Sequence, residues 1–166
     1  MGGEFGQFIE WKDEEQLDWF LLDYDSHRSL HAFTKALNHL YIQEKALWEL
    51  DHSWDGYQWI EAEDRGQSVI TYLRKSKKPG DTLVVLINFQ PVPRENYRIG
   101  LEKAGSYIEL LNSDHKDFGG RDQLNTGIIR TAPIPCHGQL HSLEVTIPPL
   151  SIVILKKAPR RPKKAD

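Results

Sequence analysis

The sequence predicts a mainly β protein: an antiparallel β-sandwich preceded by a loop and one helix. Three observations carry this. After Gly56, short β-prone runs recur between turn signals with no helical period between them. Before that point a single stretch, Leu30, Phe33, Leu37, Leu40 and Tyr41, repeats at helical spacing. Ahead of the helix, residues 1–24 are rich in Gly, Asp, Glu and Trp and show no sustained period, which reads as a long loop of the functional kind.

Taken in order, the helix is expected over residues 26–43, with Asp25 or Ser26 as its N-cap. Ala46-Leu47-Trp48-Glu49-Leu50 follows as a last turn or connector. Asp51-His52-Ser53-Trp54-Asp55-Gly56 is turn chemistry and marks a boundary. Strands are expected at Tyr57–Ile60, Val69–Leu73, Leu83–Phe89, Tyr97–Leu101, Tyr107–Leu111, Leu143–Ile147 and Ile152–Leu155. Residues 112–139 hold too much Gly, Pro and Asn for a core strand. Pro148-Pro149 breaks pairing between the last two runs and predicts a corner or an edge there. One helix and an irregular arm are an odd start for a small sandwich. The apolar stripe needs a partner, either the sandwich or a larger structure such as a barrel exterior.

Composition narrows the class. Of the 166 residues, 39% are hydrophobic and 27% charged, as in a globular domain. No apolar run approaches the ~20 residues of a membrane span, so no membrane partner is expected. Cys136 is the single cysteine and no Asn-x-Ser/Thr acceptor occurs, both of which point to a reducing, cytoplasmic setting. The formal charge of −3 divides into +5 on residues 156–166 and −8 on the rest. So acidic a body is a poor nucleic-acid surface. The Lys, Arg and Pro of the tail, residues 157–166, read as a disordered solubilising terminus.

Several clusters invite a chemical reading. His27 and His31 are four apart on the helix but lack a third ligand, so no metal is expected, and no cofactor. Cys136-His137 are adjacent in sequence, a spacing at which side chains rarely face each other. Trp54, Tyr57 and Trp59 suit either a carbohydrate platform or cross-strand packing. Glu4, Glu10, Asp13, Glu14, Glu15 and Asp18 supply carboxylates, but acid–base work needs two of them fixed in a dry pocket, and the loop reads as a solvated acidic face.

Met1-Gly2-Gly3-Glu4-Phe5-Gly6-Gln7, with Glu10-Trp11, Leu17-Asp18-Trp19 and Leu21-Leu22-Asp23-Tyr24, resembles the segment after the last barrel strand of 1,4-α-glucan (glycogen) branching enzymes, in the α-amylase superfamily. The likeness continues through Leu37-Asn38-His39-Leu40-Tyr41, Gly56-Tyr57-Gln58-Trp59-Ile60, Asn88-Phe89-Gln90-Pro91-Val92-Pro93-Arg94, Leu111-Asn112-Ser113-Asp114 and Phe118-Gly119-Gly120, and covers roughly residues 1–155. Lys45 stands where the family pattern has Pro, and Cys136 is atypical.

The resemblance implies that residues 1–50 are the last loop and helix of a catalytic (β/α)8 barrel and that residues 51–156 are its C-terminal sandwich. It implies a transfer of α-1,4-glucan to a 6-hydroxyl, with catalytic carboxylates on earlier barrel strands and none in this chain. Barrel sites are built from loops at the C-terminal ends of strands. Glu4, Gln7, Glu10, Trp11, Asp18 and Trp19 are therefore the residues expected to line a glucan cleft, the indoles by stacking on pyranose faces. The implied partners are α-1,4-glucan and the upstream barrel portion. Two alternatives stay open: a stand-alone carbohydrate- or protein-binding sandwich, and part of another α-glucan-active barrel hydrolase. The Leu17–Tyr24 run favours branching.

Overall fold

A computed structural model describes residues 1–159. Residues 160–166, most of the expected basic tail, lie outside the described residues. The arm makes two 3-10 turns, Gly3–Phe5 and Trp19–Asp23, and then enters helix α1, Asp25–Gln43. A 3-10 turn at Lys45–Leu47 forms the connector, and another at Trp54–Gly56 leads into the strands. These are β1 (Tyr57–Asp64), β2 (Val69–Lys75), β3 (Thr82–Asn88), β4 (Arg94–Leu101), β5 (Ser106–Asn112), β6 (Ile129–Arg130), β7 (His141–Ile147) and β8 (Ile152–Lys157). Each of the seven predicted strands is present. The short β6 lies inside the stretch expected to be irregular, and β8 takes in Lys157, which the sequence assigned to the tail.

Pairing is antiparallel throughout the two sheets. One is six-stranded, in the order β1-β2-β3-β8-β5-β6; the other is the pair β4-β7. Their facing sides close on Val69, Val84, Leu86, Val153 and Leu155 from the large sheet and on Ile99, Leu101, Leu143, Val145 and Ile147 from the small one. The last two long strands belong to different sheets, so Pro148-Pro149 does make a corner. Asn88 pins it. Its buried amide donates to the carbonyls of Val92 at 2.8 Å and Pro148 at 2.9 Å and accepts the Gln90 N–H at 3.0 Å. A polar side chain this deep is tolerated because each of its groups is satisfied.

The large sheet is also covered on its other side. Alternate residues of the central strands, Leu83 and Val85 on β3 and Ile154 on β8, face outward and bury against Leu40 of α1 and Ala46, with Phe33, Ala36 and Leu37 packed around them. A register shift between Glu109 and Leu111 flips the parity of β5 and brings Leu111 onto this outer face. The sandwich itself is thus the partner the helical stripe required. The stripe is narrower than the sequence suggested, since Leu30 and Tyr41 remain exposed and Ala36 takes part instead. No side chain caps the helix either. Tyr24 holds the N-cap position, and Asp25 is the first helical residue.

Two ionic contacts bolt the helical layer to the sheet. Arg74 on β2 donates to the Leu47 carbonyl at 2.8 Å and to Asp51 at 2.5 Å. Lys156 on β8 lies between Glu44, just past α1, at 2.5 Å and Asp81 of the β2–β3 hairpin at 3.2 Å. Burial alone would raise the Asp81 carboxyl, but the Ser76 hydroxyl and the Lys156 ammonium outweigh it and hold Asp81 below the usual range. Burial likewise works against charge on Lys156, yet Glu44 and Asp81 hold it above the usual lysine value.

A depressed carboxyl stabilises the fold above its unfolded pKa and loses that contribution as pH falls through the folded value. The raised lysine contributes fully below its unfolded pKa and loses its share as pH rises through the folded value. Urea titrations at a series of pH values should therefore show Asp81→Asn less stable than the parent at pH 7, with a shallower decline below about pH 4. An unchanged acid limb counts against the bolt. Leu83→Ala, at a fully buried site under the helix, should cost about 3 kcal/mol in the same assay.

Candidate functional site

The arm is folded rather than loose. Gly2 and Gly6 take φ values of 73° and 74°, which bend residues 2–7 into a hook. Phe5 is fully buried inside it and packs at a tilt on Trp19, ring centroids 5.1 Å apart, while Leu21 is the buried residue of the second turn. Gln7 closes the base of the next loop. Its Oε1 accepts the Asp18 N–H at 2.9 Å and its Nε2 donates to the Ile9 carbonyl at 2.9 Å. Lys12 bridges Asp18 at 2.7 Å and Glu15 at 3.2 Å across that loop.

The six residues expected to line a cleft therefore fall into two groups. Gln7 and Asp18 spend their polar atoms holding the arm's own shape, and Trp19 is half-exposed against Phe5. Glu4, Glu10 and Trp11 project outward. Trp11 is 82% exposed and sits at φ 54°, a left-handed conformation rarely adopted by a bulky residue. Phe8 and Ile9 are exposed next to it, giving the loop an apolar crest.

The other titratable clusters are structural in their contacts. His27 Nδ1 lies 2.7 Å from the Phe5 carbonyl oxygen, and His31 is exposed one turn on. Among the described residues no group of three or more His, Cys, Asp or Glu is placed to hold a metal ion. The Cys136 thiol is directed at the Arg98 carbonyl, 3.5 Å away, and His137 Nδ1 instead accepts the Gly100 N–H at 3.2 Å. Burial pushes the Cys136 thiol up, away from the thiolate a nucleophile needs.

Asp114, the one buried carboxylate among the described residues, accepts the N–H groups of Arg121 and Gln123 at 3.1 and 2.9 Å. A Cβ at Gly120 would sit 2.1 Å from the Asp114 carbonyl oxygen, so the Asn112–Gly120 signature is a loop staple.

A second surface lies on the outer face of β1 and β2, beyond the edge of the helix. Tyr57 stacks on Tyr72 with ring centroids 5.0 Å apart, and Trp59 meets both rings edge-on at 5.0 and 6.0 Å. Trp54 continues the row at 6.4 Å from Tyr57 and is 84% exposed; Trp59 is half-exposed. Next to it opens a pocket of about 320 Å³ lined by Leu50, His52, Ser53, Trp54, Tyr57 and Arg74. Burial raises the hydroxyls of Tyr57 and Tyr72, so both remain neutral hydrogen-bonding groups near pH 7. Sequence reasoning found Trp54, Tyr57 and Trp59 but missed Tyr72 and Arg74. The available signal was the strict alternation of Tyr72 and Arg74 opposite Trp59 and Tyr57 across the hairpin.

Residues 59–158 match the family described as alpha amylase, C-terminal all-beta domain, and the chain belongs to that family. Over 156 residues it is 51% identical to the 1,4-alpha-glucan branching enzyme GlgB of Desulfitobacterium hafniense, covering 94% of this chain and 25% of that protein. The branching enzyme of Halothermothrix orenii is 48% identical with the same coverage. Among solved structures, an alpha-amylase from H. orenii aligns with a TM-score of 0.46 at 18% identity, covering 78% of this chain and 20% of that one. The chain matches the C-terminal region of branching enzymes and spans about a quarter of the length of the curated relatives it matches. Among the described residues no helix is long and apolar enough to cross a membrane.

Proposed function

We propose that this chain acts as the C-terminal part of a cytoplasmic glycogen branching enzyme, which moves α-1,4-glucan segments onto 6-hydroxyls. Residues 1–50 then belong to the barrel as its last loop and helix, and residues 51–156 form the sandwich that braces it. The observation that carries this reading is 51% identity extending over 94% of the chain, far beyond the sandwich alone. Glu4, Glu10 and Trp11 contact glucan directly, and Gln7, Asp18 and Trp19 give the loop its shape. The exposed crest of Phe8, Ile9 and Trp11 supports a stacking role.

Retaining glycosyl transfer needs a carboxylate nucleophile and a carboxylic acid about 5 Å apart across the anomeric centre. In this reading the upstream barrel portion provides both, and the 166-residue chain forms no branches by itself. Iodine staining of amylose with linkage analysis tests this. The expected result is no new α-1,6 bond at high protein concentration, and branch points that vanish in Glu4→Ala, Glu10→Ala or Asp18→Ala would overturn it.

A second reading is favoured by one observation, the Trp54–Tyr57–Trp59–Tyr72 row, exposed at its two tryptophans, beside its pocket. Here the sandwich holds glucan through its own surface, aromatic faces stacking on sugar rings and Arg74 and His52 offering donors to hydroxyls. Trp54→Ala and Trp59→Ala should each weaken amylose binding about fivefold, as one lost stacking contact of ~1 kcal/mol implies. Affinity electrophoresis in amylose-containing gels reads this directly; mobility unchanged by either substitution removes the second reading.

A further inference from the structure

We infer that His27 is the positioning residue of the arm, fixing the loop that carries Glu10 and Trp11 in its glucan-binding shape. The inference rests on the reading of the arm as a glucan contact. His27 lies in the first turn of α1, and Phe8 of the loop crest stands against its ring.

The geometry runs through one chain of contacts. His27 Nδ1 meets the Phe5 carbonyl oxygen at 2.7 Å. A carbonyl only accepts, so Nδ1 must carry the proton. The bond is therefore made by the neutral Nδ1–H tautomer and by the charged imidazole alike. Around it the hook lies directly on the helix. A Cβ at Gly6 would come within 3.0 Å of Leu30 Cδ2 and 3.5 Å of His27 Nδ1, so at φ 74° only glycine lets the backbone approach this closely. Phe8 stands edge-on to the imidazole at 5.2 Å.

From the anchored hook the constraint passes to Gln7, whose side chain takes the Asp18 N–H and closes residues 7–18 into a ring, with Lys12–Asp18 as a second tie. Glu10 and Trp11 sit inside that ring and, among the described residues, make no hydrogen bond beyond it. A loop ordered before it meets its ligand avoids the entropic cost of being ordered on binding. His27 is the point at which that order is tied to the helix.

The test compares His27→Ala, His27→Asn and His27→Gln. The Asn amide places an N–H close to the position of Nδ1, whereas the Gln amide reaches toward that of Nε2. In the 166-residue chain, amide hydrogen exchange at Gln7 and Asp18 is expected to speed up about tenfold in His27→Ala and His27→Gln, and to recover in His27→Asn. Exchange within β3, β8 and α1 should stay unchanged, which separates a positioning effect from general loss of stability. In the parent, nitrogen shifts of the neutral His27 ring should report the Nδ1–H tautomer.

Amylose affinity of the same variants completes the test. A fall in affinity that follows the loss of loop protection, and returns with Asn, supports the inference. Unchanged protection at Gln7 and Asp18 in His27→Ala overturns it at its root. Lost protection with unchanged affinity overturns the reading of the arm as a glucan contact, and the inference with it.

Discussion

Burial of β3 and β8 on both faces is the constraint on which the rest of this structure depends. A sandwich strand normally shows one face to the core and one to water. Here Val84, Leu86, Val153 and Leu155 fill the space between the sheets, while Leu83, Val85 and Ile154 need cover on the other side. Helix α1 and the Lys45–Leu47 turn provide it, with Phe118 packed beside them. Each apolar side chain so covered gains ~1.5–3 kcal/mol relative to exposure. The helix is therefore a third layer of the domain, joined to the sheet by apolar contact first and by Arg74 and Lys156 second.

That joint matters for the arm. A loop gains precision from the rigidity of whatever carries it. The hook is anchored on α1, α1 on β3 and β8, and these on the small sheet. Glu10 and Trp11 are thus related to the aromatic row of β1 and β2 through packed elements alone. The acidic arm looked, from composition, like a solvated face with neither rigidity nor dryness. The described structure gives it a buried phenylalanine, a glutamine tie and a histidine anchor, although its crest is still open to water.

Most of the architecture was legible because it follows from local chemistry. Short β-prone runs, turn punctuation and Pro148-Pro149 gave the strands and the corner; helical spacing gave α1 nearly to the residue. What was illegible depended on contacts distant in sequence. The two-residue β6 has no period to detect. The parity of Leu111 depends on a bulge, and Leu30 and Tyr41 fit the helical stripe but lie where the sheet does not reach. The role of Gln7 could not be read from residue type, since an amide that suits a sugar hydroxyl suits a backbone N–H equally well. Tyr72 and Arg74 were hidden because a strand residue belongs to a surface only through its cross-strand neighbour.

The position of β8 has a consequence for how the domain assembles. It is the last strand among the described residues, yet it sits in the middle of the large sheet, paired to β3 on one side and β5 on the other. Until it arrives, both neighbours are bare edges flanked by apolar residues, the arrangement that recruits foreign strands. Synthesis from the N-terminus delivers it after everything it joins, and its pairing with β3 closes a loop of more than sixty residues. Folding should accordingly be slow for a domain of this size, completed in a late step, and most vulnerable to aggregation just before that step.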